Sequence, residues 1–304
     1  MSTHRVVAVV GPTAAGKSDL AVAIAQRLDA EIVNADSMQL YAGMDIGTAK
    51  LTVAERAGVP HHLLDVWPVT KSAAVAEYQL LARTAIAAIH DRGRTAVLVG
   101  GSGLYVRGTL DRLEFPGESP DVRARLMDEL QLVGAPALHA RLAAADPAAG
   151  QAILPTNGRR IVRALEVIEL TGRPFTATMP GFESVYDDVV HIGIDRPDLD
   201  GRVGLRVQHM MATGFLDEVR GLLPRGLRAS PTAGKALGFS QLLECIDDDG
   251  NVVGDIAAAT DSTIRATWRF ARRQRSWFRR DPRITWLDGA ATDVAERAIV
   301  LAEQ

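Results

Sequence analysis

A single cysteine, Cys245, stands in this chain of 304 residues. It excludes an intrachain disulfide and any multi-cysteine zinc site. Histidine is sparse as well. The one adjacent pair, His61 and His62 of "PHHLLD", reads as extended backbone, where neighbours point to opposite sides and chelate one ion poorly. No apolar run reaches the roughly 18 residues of a membrane span. The start, "MSTHRVV", leads straight into an apolar segment and leaves no room for a signal peptide. A cytoplasmic protein is therefore expected, with no membrane and no evident obligate protein partner. Internal repeats and low-complexity tracts are also missing. Net charge is small, −3, and spread evenly it would argue against a nucleic-acid partner. The charge is not spread evenly. Residues 262–280, "STIRATWRFARRQRSWFRR", hold seven arginines and no acid, with Trp268, Phe270, Trp277 and Phe278 interleaved. Solvated helix faces normally mix both signs, and seven unpaired arginines repel one another without an anion nearby. The segment is expected to meet a polyanion.

What is present starts with "VVAVVGPTAAGKSDLA", an apolar strand running through a Gly-rich turn into a helix. Gly11, Gly16, Lys17 and Ser18 fit the phosphate-loop pattern in the strand–turn–helix context it requires. Across Gly11, Pro12, Thr13, Ala14, Ala15, Gly16, Lys17 and Ser18, backbone N–H groups are expected to point inward at a diphosphate, aided by the positive end of a helix beginning near Lys17. Lys17 adds a point charge. Ser18 adds a hydroxyl suited to Mg²⁺ on that diphosphate.

Leu20, Ile24 and Leu28 follow at four-residue spacing, one buried helix stripe. "EIVNADS" reads as a second strand ending at Asp36. A helix over residues 75–92 carries Leu81, Ile86 and Ile89 and stops at Gly93. "TAVLVGGSGLY" is a further buried strand opening into a second Gly turn. Strands alternating with helices predict an α/β fold, a P-loop-type parallel sheet flanked by helices, with the ligand crevice at the carboxyl ends of the strands. Within residues 115–187, "DVRARLMDEL", "PALHARLAAAD" and "GRRIVRALEVIELTG" read as short helices without a strand. They form an inserted all-helical subdomain between core segments 1–114 and 188–304. "VVHIGID", residues 189–195, reads as a return strand, after which helices run to the end.

A phosphate loop alone suggests an NTPase or a small-molecule kinase, which usually adds an apolar strand ending in Asp for Mg²⁺. The best apolar candidate, "AVLVGG", ends in glycines. Asp36 instead lies in "NADSMQLYAGMDIGTAK", beside Ser37, Gln39 and Tyr41. Those groups suit either a planar base or a metal's water shell, and an N-cap role for Asp36 stays open.

"GPTAAGKS", "NADSMQLYAGMDIGTAK", "VPHHLLD", "GGSGLY", "RRIVRALEVIELTG" and "RRQRSWFRRD" occur in this order. Together, over nearly the whole chain, they resemble the bacterial tRNA dimethylallyltransferases, or tRNA isopentenyltransferases. The long second motif is specific, whereas the phosphate loop is shared with many families. The resemblance implies transfer of a dimethylallyl group from dimethylallyl diphosphate to the exocyclic amine of the adenine 3′ of the anticodon. The loop would then hold the diphosphate of an isoprenoid donor. By motif, Asp36 matches the family's general base, and Ser102 stands where Thr is usual. Lys17 would stabilise the leaving diphosphate. Ser37, Met38 and Gln39 match the base-recognition segment, with Tyr41 beside them. Arg159, Arg160 and Arg163, residues 235–240, and Arg272, Arg273, Gln274, Trp277 and Arg279 match segments that contact the tRNA anticodon stem-loop, and Arg123 matches a further contact. Arg206 matches an arginine that approaches the diphosphate, against the alternative of an ordinary helix-surface arginine. Phe239 and Ser240 depart from the family's usual Tyr and Arg, and Trp268 precedes Arg269 where Thr-Arg is usual. The alternatives are an adenylate isopentenyltransferase, which needs no tRNA-clasping insertion, and a P-loop small-molecule kinase.

Overall fold

The fold was obtained as a computed structural model describing residues 4–175 and 181–304. The first three residues of "MSTHRVV" and residues 176–180 of the expected insertion lie outside the described residues. The chain divides into two compact units, one of Met1–Leu110 with Tyr186–Gln304, the other of Asp111–Val185.

In the first unit, β1 (Val6–Val10), β2 (Glu31–Asn34), β3 (His61–His62), β4 (Ala96–Gly100), β5 (Val189–Asp195) and β6 (Thr285–Asp288) form one sheet in the order β3-β2-β4-β1-β5-β6. Every strand pairing is parallel. All five residues of β1 are buried because helices cover both faces. The period of two divides them: Val6, Ala8 and Val10 enter one apolar core, Val7 and Val9 the other. On the second face, α1 (Lys17–Leu28) contributes Leu20 and Ile24, with Leu28 only partly buried. It is joined there by Val203 of α7 (Leu199–Ala212) and Ala298 of α11 (Val294–Glu303). On the first face lie α2 (Val75–Asp91), α3 (Gly103–Leu110), α8 (Phe215–Leu222) and α9 (Phe239–Leu243). In α2 the buried stripe is Tyr78, Ala82, Ile86 and Ile89, and Leu81 lies at its edge. The arginine-rich segment forms the last turns of α10 (Ile256–Phe278).

Two differences from the sequence reading bear on the site. First, β2 stops at Asn34, two residues short of Asp36. The Asn34 side chain accepts from Asp36 N and donates to Asp36 O and Leu63 O, each at 3.0 Å, which bends the chain off the sheet. Second, the carboxyl-terminal region is not helical throughout. Residues "TWLD" add β6 at the sheet edge, where Thr285 and Asp288 are exposed and leave no apolar run.

The second unit contains α4 (Pro120–Ala145), broken at Gly134, then α5 (Pro147–Ala152) and α6 (Gly158–Thr171). Ser119, Asp146 and Asn157 cap these helices by accepting backbone N–H groups. Leu126, Leu138, Leu142, Ile161 and Leu165 form its core. Its two ends meet in an antiparallel bridge between Asp111 and Ser184.

Candidate active site

The carboxyl ends of β1, β2 and β4 form one rim. Gly16, with φ of 98°, lets the chain turn into α1, which leaves the first N–H groups of that helix without partners inside it. They face a ready anion cradle. Two arginines one turn apart on α7 flank the loop: Arg202 Nε donates to Ala14 O at 2.9 Å, and Arg206 Nη1 to Thr13 Oγ1 at 3.3 Å. Lys17 Nζ donates to Pro12 O at 2.8 Å. Burial of the ammonium, then the neighbouring Arg206, push Lys17 down to about 8, with Asp36 opposing. Burial lowers Arg206 as well, again opposed by Asp36.

Asp36 and Ser102 lie just past the ends of adjacent strands, β2 and β4, and Ser37 ties the two turns together. Asp36 Oδ1 accepts from Met38 N at 3.0 Å, closing a local turn. Ser102 Oγ accepts from Ser37 N at 3.2 Å and donates to Ser37 Oγ at 3.3 Å. Gln39 Nε2 donates to Thr48 O at 3.1 Å, folding the following loop back on itself. Lys50 secures that loop: Nζ donates to Tyr41 O at 3.0 Å and meets Asp45 Oδ1 and Asp65 Oδ1 at 2.6 Å. Glu218 of α8 accepts from Asp45, Ile46 and Gly47 N–H groups at 2.8, 2.6 and 3.0 Å. A carboxylate, two cations and the exposed N–H groups of a helix start thus share one rim. Such a set combines a proton acceptor with donors and positive charge suited to an anion.

The IPP transferase family matches residues 39–281. A tRNA dimethylallyltransferase of Streptomyces avermitilis is 63% identical, the alignment covering 99% of this chain and 96% of that one. One of Streptomyces coelicolor is 64% identical, with 96% and 93% covered. Among solved structures, the full-length tRNA isopentenylpyrophosphate transferase of Bacillus halodurans superposes with a TM-score of 0.70 at 39% identity, over 99% of this chain and 95% of that one. This chain belongs to the IPP transferase family.

Within that family setting, several residues lie elsewhere than the sequence suggested. Gln274 is buried rather than turned to RNA: Oε1 accepts from Thr13 N and Nε2 donates to Gly101 O, both at 2.8 Å. Trp277 packs against Gly103 and keeps 36% of its surface exposed. The arginines of α10 are not all unpaired. Asp195, the last residue of β5, takes Arg275 at 2.7 Å and Arg279 at 3.2 Å. This apolar strand does end in an acid, but its carboxylate anchors α10. Arg272 reaches Asp200 at 3.4 Å, and Arg273 is exposed with its guanidinium over Phe270. Tyr41 is fully buried, its hydroxyl donating to Lys71 O at 2.9 Å, so it belongs to the core. Phe239 is also core, edge-on to Phe215.

In the helical unit, Arg123 and Arg163 converge on the fully buried Glu166, at 2.8 and 2.9 Å, and Arg163 also donates to Pro116 O. These two brace the fold. Arg159 and Arg160 are exposed in the first turn of α6. His61 and His62 engage separate acceptors, Val59 O and Glu31 Oε2. Among the described residues, no group of three or more His, Cys, Asp or Glu could hold a metal, and no helix is long and apolar enough to cross a membrane. Sequence reasoning missed Arg202, Lys50 and Glu218. Arg202 was detectable as the residue one helical turn before Arg206, whereas the distant Glu218 left no local signal.

Proposed function

We propose that this protein transfers a dimethylallyl group from dimethylallyl diphosphate to the N6 amine of the adenine 3′ of the anticodon in tRNA, releasing diphosphate. The observation that carries the reading is that Lys17 and Arg206 bond the phosphate loop at Pro12 O and Thr13 Oγ1, while Asp36, just past the end of β2, is near enough to act on both charges. An adenine amine is a poor nucleophile because its lone pair is delocalised into the ring. As N6 attacks the allylic carbon, its proton passes to the Asp36 carboxylate and the carbon–oxygen bond breaks with its electron pair leaving on diphosphate. Backbone N–H groups of the loop, Lys17 and Arg206 stabilise that departing charge. Ser102 and the 37–39 segment hold the adenine, which leaves the loop stack to reach them.

Mg²⁺ fits this site as a cation shared with the donor: the half-buried Ser18 hydroxyl stands in the first turn of α1, and an oxygen-rich diphosphate completes the ligand set that this ion prefers. When bound it would neutralise charge on the diphosphate. Exposed arginines are available to tRNA phosphates, among them Arg272 and Arg273 on α10 and Arg159 and Arg160 on α6. A tRNA substrate places the work in the cytoplasm. Incubation with unmodified tRNA and labelled dimethylallyl diphosphate, followed by nucleoside analysis, is expected to yield one labelled N6-prenylated adenosine. With AMP added to the same incubation, label on AMP but not on tRNA would overturn the reading.

A further inference from the structure

On a helix whose exposed side bristles with arginines, Gln274 points inward and is 5% exposed. One planar amide spans two loops: its oxygen takes the Thr13 N–H of the phosphate loop, and its nitrogen gives a proton to Gly101 O of the turn after β4, each at 2.8 Å. The sheet ladder between β1 and β4 ends with Val10 opposite Gly100. Beyond that rung the strand ladder has no further pair, and Gln274 bonds to both loops that follow it.

Two glycines of "GGSG", Gly101 and Gly103, meet side chains of α10, whereas Gly100 packs against the Ala35 backbone. A Cβ at Gly101 would lie 2.2 Å from Gln274 Nε2, and one at Gly103 would lie 2.1 Å from Trp277 Cδ1. Either distance would force a shift, of the Gln274 amide in the first case and of the Trp277 ring in the second. The turn is glycine on both sides of Ser102 because α10 is seated against it. A continuous path then runs from Asp36 through Ser37 to Ser102 Oγ, along the turn to Gly101, and through Gln274 to Thr13.

We infer that Gln274 is a positioning residue: it sets the separation between the diphosphate cradle and the Asp36–Ser102 edge, and it couples RNA docked on α10 to that separation. The inference deepens the prenyl-transfer reading and rests on it for the identity of the two substrates. Attack on an allylic carbon needs reacting atoms about 3–3.5 Å apart, and an error of about 1 Å costs on the order of 10²-fold in rate. A residue bridging the two sides therefore acts on turnover and on the coupling between the two ligands, not on RNA affinity in the donor-free protein.

Full-length Gln274→Met and Gln274→Glu are the test. Met removes both hydrogen bonds at similar volume, whereas Glu keeps an acceptor for Thr13 N–H and loses the donor to Gly101 O. In prenyl transfer at saturating donor, both are expected to lose about tenfold or more in kcat, while the affinity of the donor-free protein for unmodified tRNA stays within about twofold. Calorimetry with inorganic pyrophosphate, with and without saturating tRNA, reads the coupling separately. Wild type is expected to show about a fivefold or larger change in pyrophosphate affinity when tRNA is bound, and Gln274→Met almost none. Unchanged kcat in both variants, a raised tRNA KM with kcat intact, or equal coupling in wild type and variant would each overturn the inference. Should Gln274→Met fail to fold, Gln274→Glu decides through the same two measurements. A wild-type protein that binds both ligands but transfers no label would sink the functional reading alone, leaving the coupling comparison to decide this one.

Discussion

Asp36 owes its place to Asn34, a nearly fully buried residue that bonds Asp36 on both its backbone N–H and its carbonyl. Substituting Asp36→Asn keeps an oxygen for the Met38 N–H, so the turn survives while the base is lost. Single-turnover transfer is expected to slow by about 10²-fold or more, with tRNA affinity within about twofold. Near-normal turnover would remove Asp36 from the proton-accepting role. Lys17 yields a prediction in pH. Its ammonium titrates at 10.5 when unperturbed and at about 8 in the folded protein. Between those values the unfolded chain binds the extra proton. The penalty that desolvation of the half-buried Lys17 places on stability is therefore full below about 8 and fades as pH climbs towards 10.5. Donor binding runs the other way, because diphosphate selects the charged lysine. Affinity for dimethylallyl diphosphate should be highest below about 8 and fall above it, approaching about tenfold per pH unit for one linked proton. Calorimetry across that interval checks it. Lys17→Arg keeps its charge and should flatten the decline, so an equal decline in both proteins would assign it to another group.

At the scale of the element, α10 divides its arginines. Arg275 and Arg279 are held by Asp195, and Arg279 also lies over the Trp286 ring at 5.0 Å. Arg272 and Arg273 face solvent, and the 3.4 Å approach of Arg272 to exposed Asp200 is too loose and wet to compete with a phosphate. Replacing both by Ala should lower the slope of log affinity for tRNA against log salt by about 0.7–0.9 for each phosphate that is no longer neutralised. Filter binding over a salt series measures it, and a slope equal to wild type would take these residues off the RNA surface. Arg275→Ala should leave the slope unchanged. The same helix shows what local sequence can carry. Ala271, Gln274 and Phe278, spaced three and four apart, mark its buried side, and that period was readable among the arginines. The partners of Gln274 were not, since Thr13 and Gly101 lie far away in sequence. Strand β1 and its loop were legible because two-faced burial and a left-handed glycine leave strong residue signatures. Strand β6 was not, because an exposed edge needs no apolar run. The turn at Asp36 lay between these extremes: the residue was evident, but its exit from the sheet depends on the Asn34 side chain reaching Leu63.

At the scale of the whole molecule, each unit carries its own core. Burial alone would raise the Glu166 carboxyl, but hydrogen bonds from Arg123, Arg163 and Ser119 N outweigh it and hold the group below the usual range. Its stabilisation is therefore complete above the unfolded value near 4.5 and lost as pH falls through the depressed one. Glu166→Ala leaves two arginines facing an empty centre and should destabilise the helical unit by about 2–4 kcal/mol, somewhat less than for a fully enclosed pair because both arginines can rehydrate. Hydrogen exchange should localise the loss to residues 111–185, and uniform loosening of the sheet instead would refute that assignment. The position of the helical unit in the chain also imposes a timetable on synthesis. β1 pairs with β4 within the first hundred residues, yet its other edge waits for β5, whose Val189 lies opposite Val6 and whose preceding Asp188 grips Arg5 at 2.8 Å. Throughout translation of the insertion, the nascent chain carries "VVAVV" with one row of backbone groups open to any passing strand. The insertion folds from near-neighbour contacts and can finish first. The most apolar strand of the protein is thus among the last to be covered, so its vulnerable moment comes before synthesis ends.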